Sequence, residues 1–154
     1  IVLLDDLVAH LRLDADDELA LVEQLGEAAT AYLDGWTGVL GRCVMEQVWR
    51  VTVDAAGDVV LPMPDVTEAT ADYGDGPVPL DVTASASGPV VTVTAAGEVT
   101  MTCAMPARLL PSAQLIVKLL VAHWFANRET VSGAASELPF AASALIGALR
   151  RWHL

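Results

Sequence analysis

Apolar positions change their spacing twice along the chain, and the two changes divide it into three stretches. Within Ile1–Leu11, Leu3, Leu4, Leu7, Val8 and Leu11 recur at helical spacing and predict a short amphipathic helix. Asp14 then stands as an N-cap before Asp17 and Glu18, acids that suit the positive end of a helix dipole. The spacing predicts a second helix from about Ala15 to Leu33. Its apolar face would be Val22, Leu25, Ala29, Tyr32, Leu33 and Trp36, with Gly35 as the stop.

From about Met45 the period shortens to two. Val48–Val53 alternates, Ala55-Ala56-Gly57-Asp58 reads as a turn and Val59–Leu61 restarts a strand, so residues 47–61 predict a β-hairpin. Pro62 and Pro64 break it. Strands follow over Val66–Tyr73 and Leu80–Ala84, with Gly74-Asp75-Gly76-Pro77 as a strong turn signal. Val90–Thr94 and Val99–Cys103, around Ala95-Ala96-Gly97-Glu98, predict a second hairpin. About six short strands rich in Val and Thr suit a half-buried antiparallel sheet.

Helical spacing returns after Pro106. Pro111 fits a first turn, and Ser112–Asn127 is apolar nearly all round, as a buried helix would be. Lys118 and His123 make it unsuitable as a membrane span, and Asp5, Asp6, His10 and Arg12 do the same for Ile1–Leu13, which also does not read as a signal peptide. Thr130–Ser136 reads as a mobile loop. Leu138–Trp152 predicts a last helix, with Phe140, Leu145, Ile146, Leu149 and Trp152 as its stripe and Arg150 and Arg151 in its final turn. The expected class is α+β: a bundle of about four helices with a β insertion between the second and third. One domain spans 1–154, with helices over about 1–38 and 111–152 and the insertion over about 45–105.

Charge adds an asymmetry. The chain of 154 residues carries a formal −12, against a general nucleic-acid binder. Residues 1–40 carry net −8 and residues 41–105 net −7, while residues 106–154 carry net +3. Oppositely charged regions can attract between neighbouring subunits. With 54% hydrophobic residues, some apolar surface is expected to be covered by partners.

Candidate chemistry is sparse. Cys43 and Cys103 lie in no metal-binding or redox spacing and read as buried, reduced thiols. His10, His123 and His153 fit no ligand or triad pattern, and His123 reads as a partly buried, hydrogen-bonded helix residue. Capping accounts for the acids of Asp14–Glu18. Asp72–Gly76 reads as a hairpin turn, and Gly38-Val39-Leu40-Gly41-Arg42 is only a weak loop motif. The expectation is no enzyme, no catalytic residue, no metal and no cofactor. The terminal Arg150-Arg151-Trp152-His153-Leu154 has two readings: a helix end packing Trp152 on its own core, or a partner anchor of the Arg and Trp type found at interface hot spots.

Several motifs together resemble a known family. They are Leu11-Arg12-Leu13-Asp14-Ala15-Asp16-Asp17-Glu18-Leu19 before an Ala-rich helix ending near Trp36-Thr37-Gly38, and Leu61-Pro62-Met63-Pro64 with Asp72-Tyr73-Gly74-Asp75-Gly76 in the β region. The most specific is Ala122-His123-Trp124-Phe125-Ala126-Asn127-Arg128-Glu129, followed by Glu137-Leu138-Pro139. Across nearly the whole chain this resembles the head–tail connector, or adaptor, proteins of long-tailed phages and phage-derived gene transfer agents. The resemblance implies a structural ring, usually dodecameric, between the portal of a DNA-filled capsid and a stopper or tail-terminator. DNA would pass through its lumen without sequence-specific binding, and no membrane would be involved. The subunit would be made in a bacterial cytoplasm and reside in the particle neck.

Residue by residue, the resemblance puts the portal contact on Leu149, Arg150, Arg151, Trp152, His153 and Leu154. Within the motif, His123, Trp124, Phe125, Asn127, Arg128 and Glu129 would be structural or intersubunit. Trp124 and Phe125 fit the bundle core better than a partner surface. Asn127 fits a left-handed helix end, and Arg128 and Glu129 fit pairing with other helices or a neighbouring subunit. The alternatives are a small soluble cytoplasmic binding module of unknown partner, and an enzyme with an unrecognised site.

Overall fold

The structure is a computed structural model that describes residues 1–13, 18–127 and 138–151. Its elements in chain order are α1 (Leu4–Leu11), α2 (Leu19–Leu33), β1 (Gln47–Val53), β2 (Gly57–Val60), β3 (Val66–Asp72), β4 (Pro77–Leu80), β5 (Thr83–Ser85), β6 (Gly88–Val93), β7 (Gly97–Cys103), α3 (Leu110–Ala126) and α4 (Phe140–Leu149). The class is α+β, with four helices and two antiparallel sheets among the described residues.

α3 is the axis of the helical half and packs against α1, α2 and α4. It buries Ala113, Ile116, Val117, Leu120 and Val121, as its nearly continuous apolar sequence requires. α2 turns Val22, Gly26, Ala29 and Leu33 inward, a stripe at helical spacing. Gly26 lets α1 approach closely, since a Cβ there would stand 2.7 Å from Leu7 Cδ1.

Several expected positions move. α1 starts at Leu4, and Leu3 before it is extended and 74% exposed, because alternate residues of an extended segment face opposite ways. Tyr32 sits at the margin of the α2 face and Trp36 lies beyond the helix end; they are 39% and 44% exposed. α4 buries Ala142, Ile146 and Leu149; Phe140 lies about 200° around the helix from Ala142 and is 89% exposed. The Asp14 cap, the 130–136 loop and Trp152 lie outside the described residues.

The β half differs more. One sheet runs β1-β7-β3-β4 and the other β2-β6-β5. Neither expected hairpin around an Ala-Ala-Gly turn forms. β1 and β2 belong to different sheets, as do β6 and β7. β1 pairs with β7 (Val51↔Val99) and β2 pairs with β6 (Val59↔Val91). Each turn therefore carries the chain across the core rather than back alongside itself. The hairpins that do form are β5–β6, which closes between Ser85 and Gly88, and β3–β4, closed by Gly74-Asp75-Gly76; Asp72 Oδ1 accepts from the Gly74 and Gly76 N–H groups at 2.7 and 3.3 Å.

The crossing follows from where the apolar residues point. Val91 and Val93 of β6 and Val99, Met101 and Cys103 of β7 are all buried in one cluster with Cys43, Leu61, Met63, Ala69 and Ala71. Two strands whose apolar faces enclose the same core from opposite sides must lie in opposite sheets. Gly97 sits where the corner crosses the end of β3. A Cβ there would collide with the Asp72 carbonyl oxygen and stand 3.0 Å from Tyr73 Cδ1.

Candidate assembly face at the C-terminal strap

The junction between the two halves is built from the loop after α2. Gly35 N–H bonds the Arg42 carbonyl at 3.0 Å, Val39 N–H bonds the Tyr32 carbonyl at 2.9 Å, and Gly41 N–H bonds the Gly38 carbonyl at 3.0 Å. Gly38 is required by space, since a Cβ would collide with the carbonyl oxygens of Leu33 and Asp34. Asp34 fixes the far side. Its Oδ1 accepts from Val44 N–H at 2.6 Å and Met45 N–H at 3.2 Å, and its Oδ2 accepts from Gln47 Nε2 at 2.8 Å. This carboxylate ties the end of α2 to the start of β1.

The same loop receives the end of α4. Leu149 is buried as the last helical residue. Arg150 N–H still bonds the Ile146 carbonyl at 2.8 Å, but its backbone is extended (φ −62°, ψ 131°). Arg151 N–H then bonds the Leu40 carbonyl at 2.8 Å. Arg150 and Arg151 are thus not in a last helical turn, as expected, but in an extended strap, because a tertiary acceptor replaces the helical one. Trp36, Thr37, Gly38, Val39 and Gly41 form with the two arginines a recess of about 360 Å³. Trp152, His153 and Leu154 lie outside the described residues.

The His-Trp-Phe motif lies elsewhere, on the last turns of α3. Trp124 and Phe125 pack, half-buried, against the helical core, and Trp124 meets Tyr32 edge-on at 6.3 Å and 77°. His123 is half-buried. Asn127 Nδ2 donates to the His123 carbonyl at 2.7 Å and lies 3.4 Å from His123 Nδ1. Asn127 thus closes the helix with its side-chain amide and not in a left-handed conformation (φ −115°, ψ 43°). Arg128 and Glu129 lie outside the described residues. The motif touches α2 at Tyr32 while the strap touches the 38–41 loop, so the two sets of candidate residues make separate contacts.

Two charged residues at the junction escaped sequence reasoning. Arg42 Nη1 lies 3.2 Å from Asp65 Oδ2, with both side chains mostly buried. Asp65 holds a positive φ of 57° at the entrance to β3. The available signal was Arg42 itself, one of two bases among the nine acids of residues 41–105.

Cys43 and Cys103 are both fully buried and reduced. Cys43 Sγ donates to Gln47 Oε1 at 3.6 Å. Burial pushes both thiols up. Cys103 reaches about 12, with the neighbouring Cys43 and the Asp65 charge acting in the same direction. For Cys43 the Asp34 and Asp65 charges add to burial, while hydrogen bonds with Trp49 and Cys103 oppose it. Among the described residues, no cluster of three or more His, Cys, Asp or Glu groups could hold a metal ion, and no helix is long and apolar enough to cross a membrane.

With this geometry in hand, comparison with solved structures is decisive for the fold. The same fold occurs in a gene transfer agent particle. A chain of the virion of the native gene transfer agent particle matches with a TM-score of 0.64 and 19% identity, over 99% of this chain and 91% of that one. A chain from the neck of the empty particle, computed with C6 symmetry, matches with a TM-score of 0.62 and 20% identity over the same shares. No protein-family model and no curated protein matches the sequence.

Proposed function

We propose that this chain is a structural head–tail connector subunit that works in the neck of a phage or phage-derived particle and carries out no catalysis. The observation that carries the reading is the fold shared over 99% of the chain with a protein of a gene transfer agent neck. The motif resemblance supports it independently, because it was drawn from residues and not from shape.

In this reading residues 1–154 are one adaptor domain, a helical bundle with the sheets inserted between α2 and α3. Copies form a closed ring, taken as dodecameric, between the portal and a stopper or tail-terminator. A heterologous ring needs two different complementary faces on each subunit. The acidic residues 1–105 and the basic residues 106–154 supply opposite charge for them. DNA passes through the channel during packaging and ejection, and an acidic lumen would not grip phosphates.

The portal contact falls on Leu149–Leu154. α4 ends at Leu149 and the chain leaves it extended at Arg150, as a segment presented to a neighbour would. The test is deletion of Arg150–Leu154. The described part of this segment contributes two backbone bonds, Arg150 N–H to the Ile146 carbonyl and Arg151 N–H to the Leu40 carbonyl. The truncated chain is therefore expected to fold and to lose attachment to purified portal in a co-sedimentation assay. Retained attachment would move the anchor elsewhere. Loss of folding would make the segment part of the core.

A further inference from the structure

A second concave surface lies between the sheets, on the side of β4 and β5. Its volume is about 780 Å³, in the range of sites that hold a small ligand or a few residues of peptide. One wall is residues 66–70 of β3 with Pro79 and Leu80; the other is Thr83–Ser85 of β5 with Gly88 and Pro89. Small residues line both walls, Ala69 and Thr70 on one and Ala84 and Ser85 on the other.

Among the described residues, β5 pairs with β6 on one side and with no strand on the other. Its free edge offers main-chain donors and acceptors to an added strand. The opposite wall spans five residues of β3, room for an extended segment of about the same length.

One end of the cleft is cationic. Arg42 and Arg151 both line it. Asp65 pairs with Arg42 at 3.2 Å, which leaves Arg151 as the uncompensated cation of the two. Among the described residues no carboxylate forms an ion pair with Arg151. Gly88 makes room for that guanidinium. Its φ is +138°, and a Cβ on it would stand 3.4 Å from Arg151 Nη2. The rest of the lining includes Glu68 and Asp81, which would repel a polyanion. A ligand with one negative group at the arginine end and a neutral body fits this distribution.

We propose that the cleft binds an extended peptide segment bearing a single carboxylate, which Arg151 grips while the segment's backbone pairs with the free edge of β5. Arg42 stays paired with Asp65 and does not contact the ligand. This site shares Arg151 with the proposed portal contact but does not rest on the neck assignment, and the amide shifts at Thr67–Thr70 and Thr83–Ser85 distinguish it from that contact.

The test is titration of the isotope-labelled full chain, followed by backbone amide resonances. The probe is a mixture of acetylated tetrapeptides of Val, Thr, Ala and Ser with a free C-terminal carboxylate. Shifts are expected at Thr67–Thr70 and Thr83–Ser85, and binding is expected to weaken about tenfold or more with the C-terminal amides or with Arg151→Gln. Arg151→Lys should recover part of the loss. Arg151 is the residue to change, because Arg42→Gln would leave Asp65 buried without its partner. Unchanged resonances outside the cleft would show that Arg151→Gln still folds. Absence of shifts in these amides would overturn the proposal, as would equal binding of acid and amide peptides. Equal displacement by inorganic phosphate would reduce the site to a bare anion site and overturn the peptide assignment.

Discussion

In the helical half, every helix buries a stripe read at helical spacing: α1 packs on α2, α4 on α3, and α2 meets α3 across the whole β insertion. In the sheet half, only some chain neighbours pair: β3 meets β4 and β5 meets β6, but β1 reaches across to β7 and β2 to β6. The two halves teach that periodicity specifies which side of a segment is buried, not which neighbour it meets. A helix satisfies its own backbone, so its stripe nearly determines its packing. A strand must borrow a partner, and the same alternation serves a hairpin or a corner between two sheets.

The largest test of this comparison removes core volume from each half. Leu120→Ala in α3 and Met101→Ala in β7 both truncate side chains with no exposed surface, and each is expected to cost about 2–5 kcal/mol. Asp34 and the Arg42–Asp65 pair tie the halves together. Calorimetry should therefore show one transition, lowered by either change. Two transitions, each moved by one variant only, would break the account of the junction.

The corner at Gly97 is the next largest. Gly97→Ala should cost up to about 3 kcal/mol by forcing the corner away from the Asp72 carbonyl. Gly57→Ala, where φ is +142° but no atom lies within 4 Å, should cost only about 1–2 kcal/mol in backbone strain. Denaturant titrations that ranked them the other way would contradict the crossing.

A smaller effect sharpens the description of the sheet core. The Cys103 thiol is raised from 9.0 to about 12, so the folded state holds its proton where the unfolded state has lost it. Its contribution is complete below pH 9 and declines as pH rises from about 9 to about 12. Cys103→Ala should flatten that alkaline decline in stability, measured by denaturation at stepped pH. The smallest effect is stabilising. Gly147→Ala in α4 places a Cβ in open space and should add about 0.5–1 kcal/mol through helix propensity.

Legibility in the sequence follows the same division. α3 is evident from its apolar run and Pro111, and the β3–β4 hairpin from Gly74-Asp75-Gly76, because those residues act locally. The two Ala-Ala-Gly corners look like hairpin turns, and only the shared core reveals that they cross. Of the candidate site, the strap residues Leu149–Arg151 were visible as a charged chain end. Their acceptor, the Leu40 carbonyl, was not, since a main-chain oxygen leaves no mark in sequence. The Gly38-Val39-Leu40-Gly41-Arg42 stretch, weak as a motif, is the loop that receives the strap. Its glycines answer to Asp34 and Leu33 backbone atoms that only the fold brings close. The Arg42–Asp65 pair joins residues separated by β1 and β2 and depends on the same crossing.

Quantitative mass spectrometry of purified particles would give the protein's copy number relative to the portal. The neck-ring account predicts a one-to-one ratio. Absence from otherwise complete particles would contradict it.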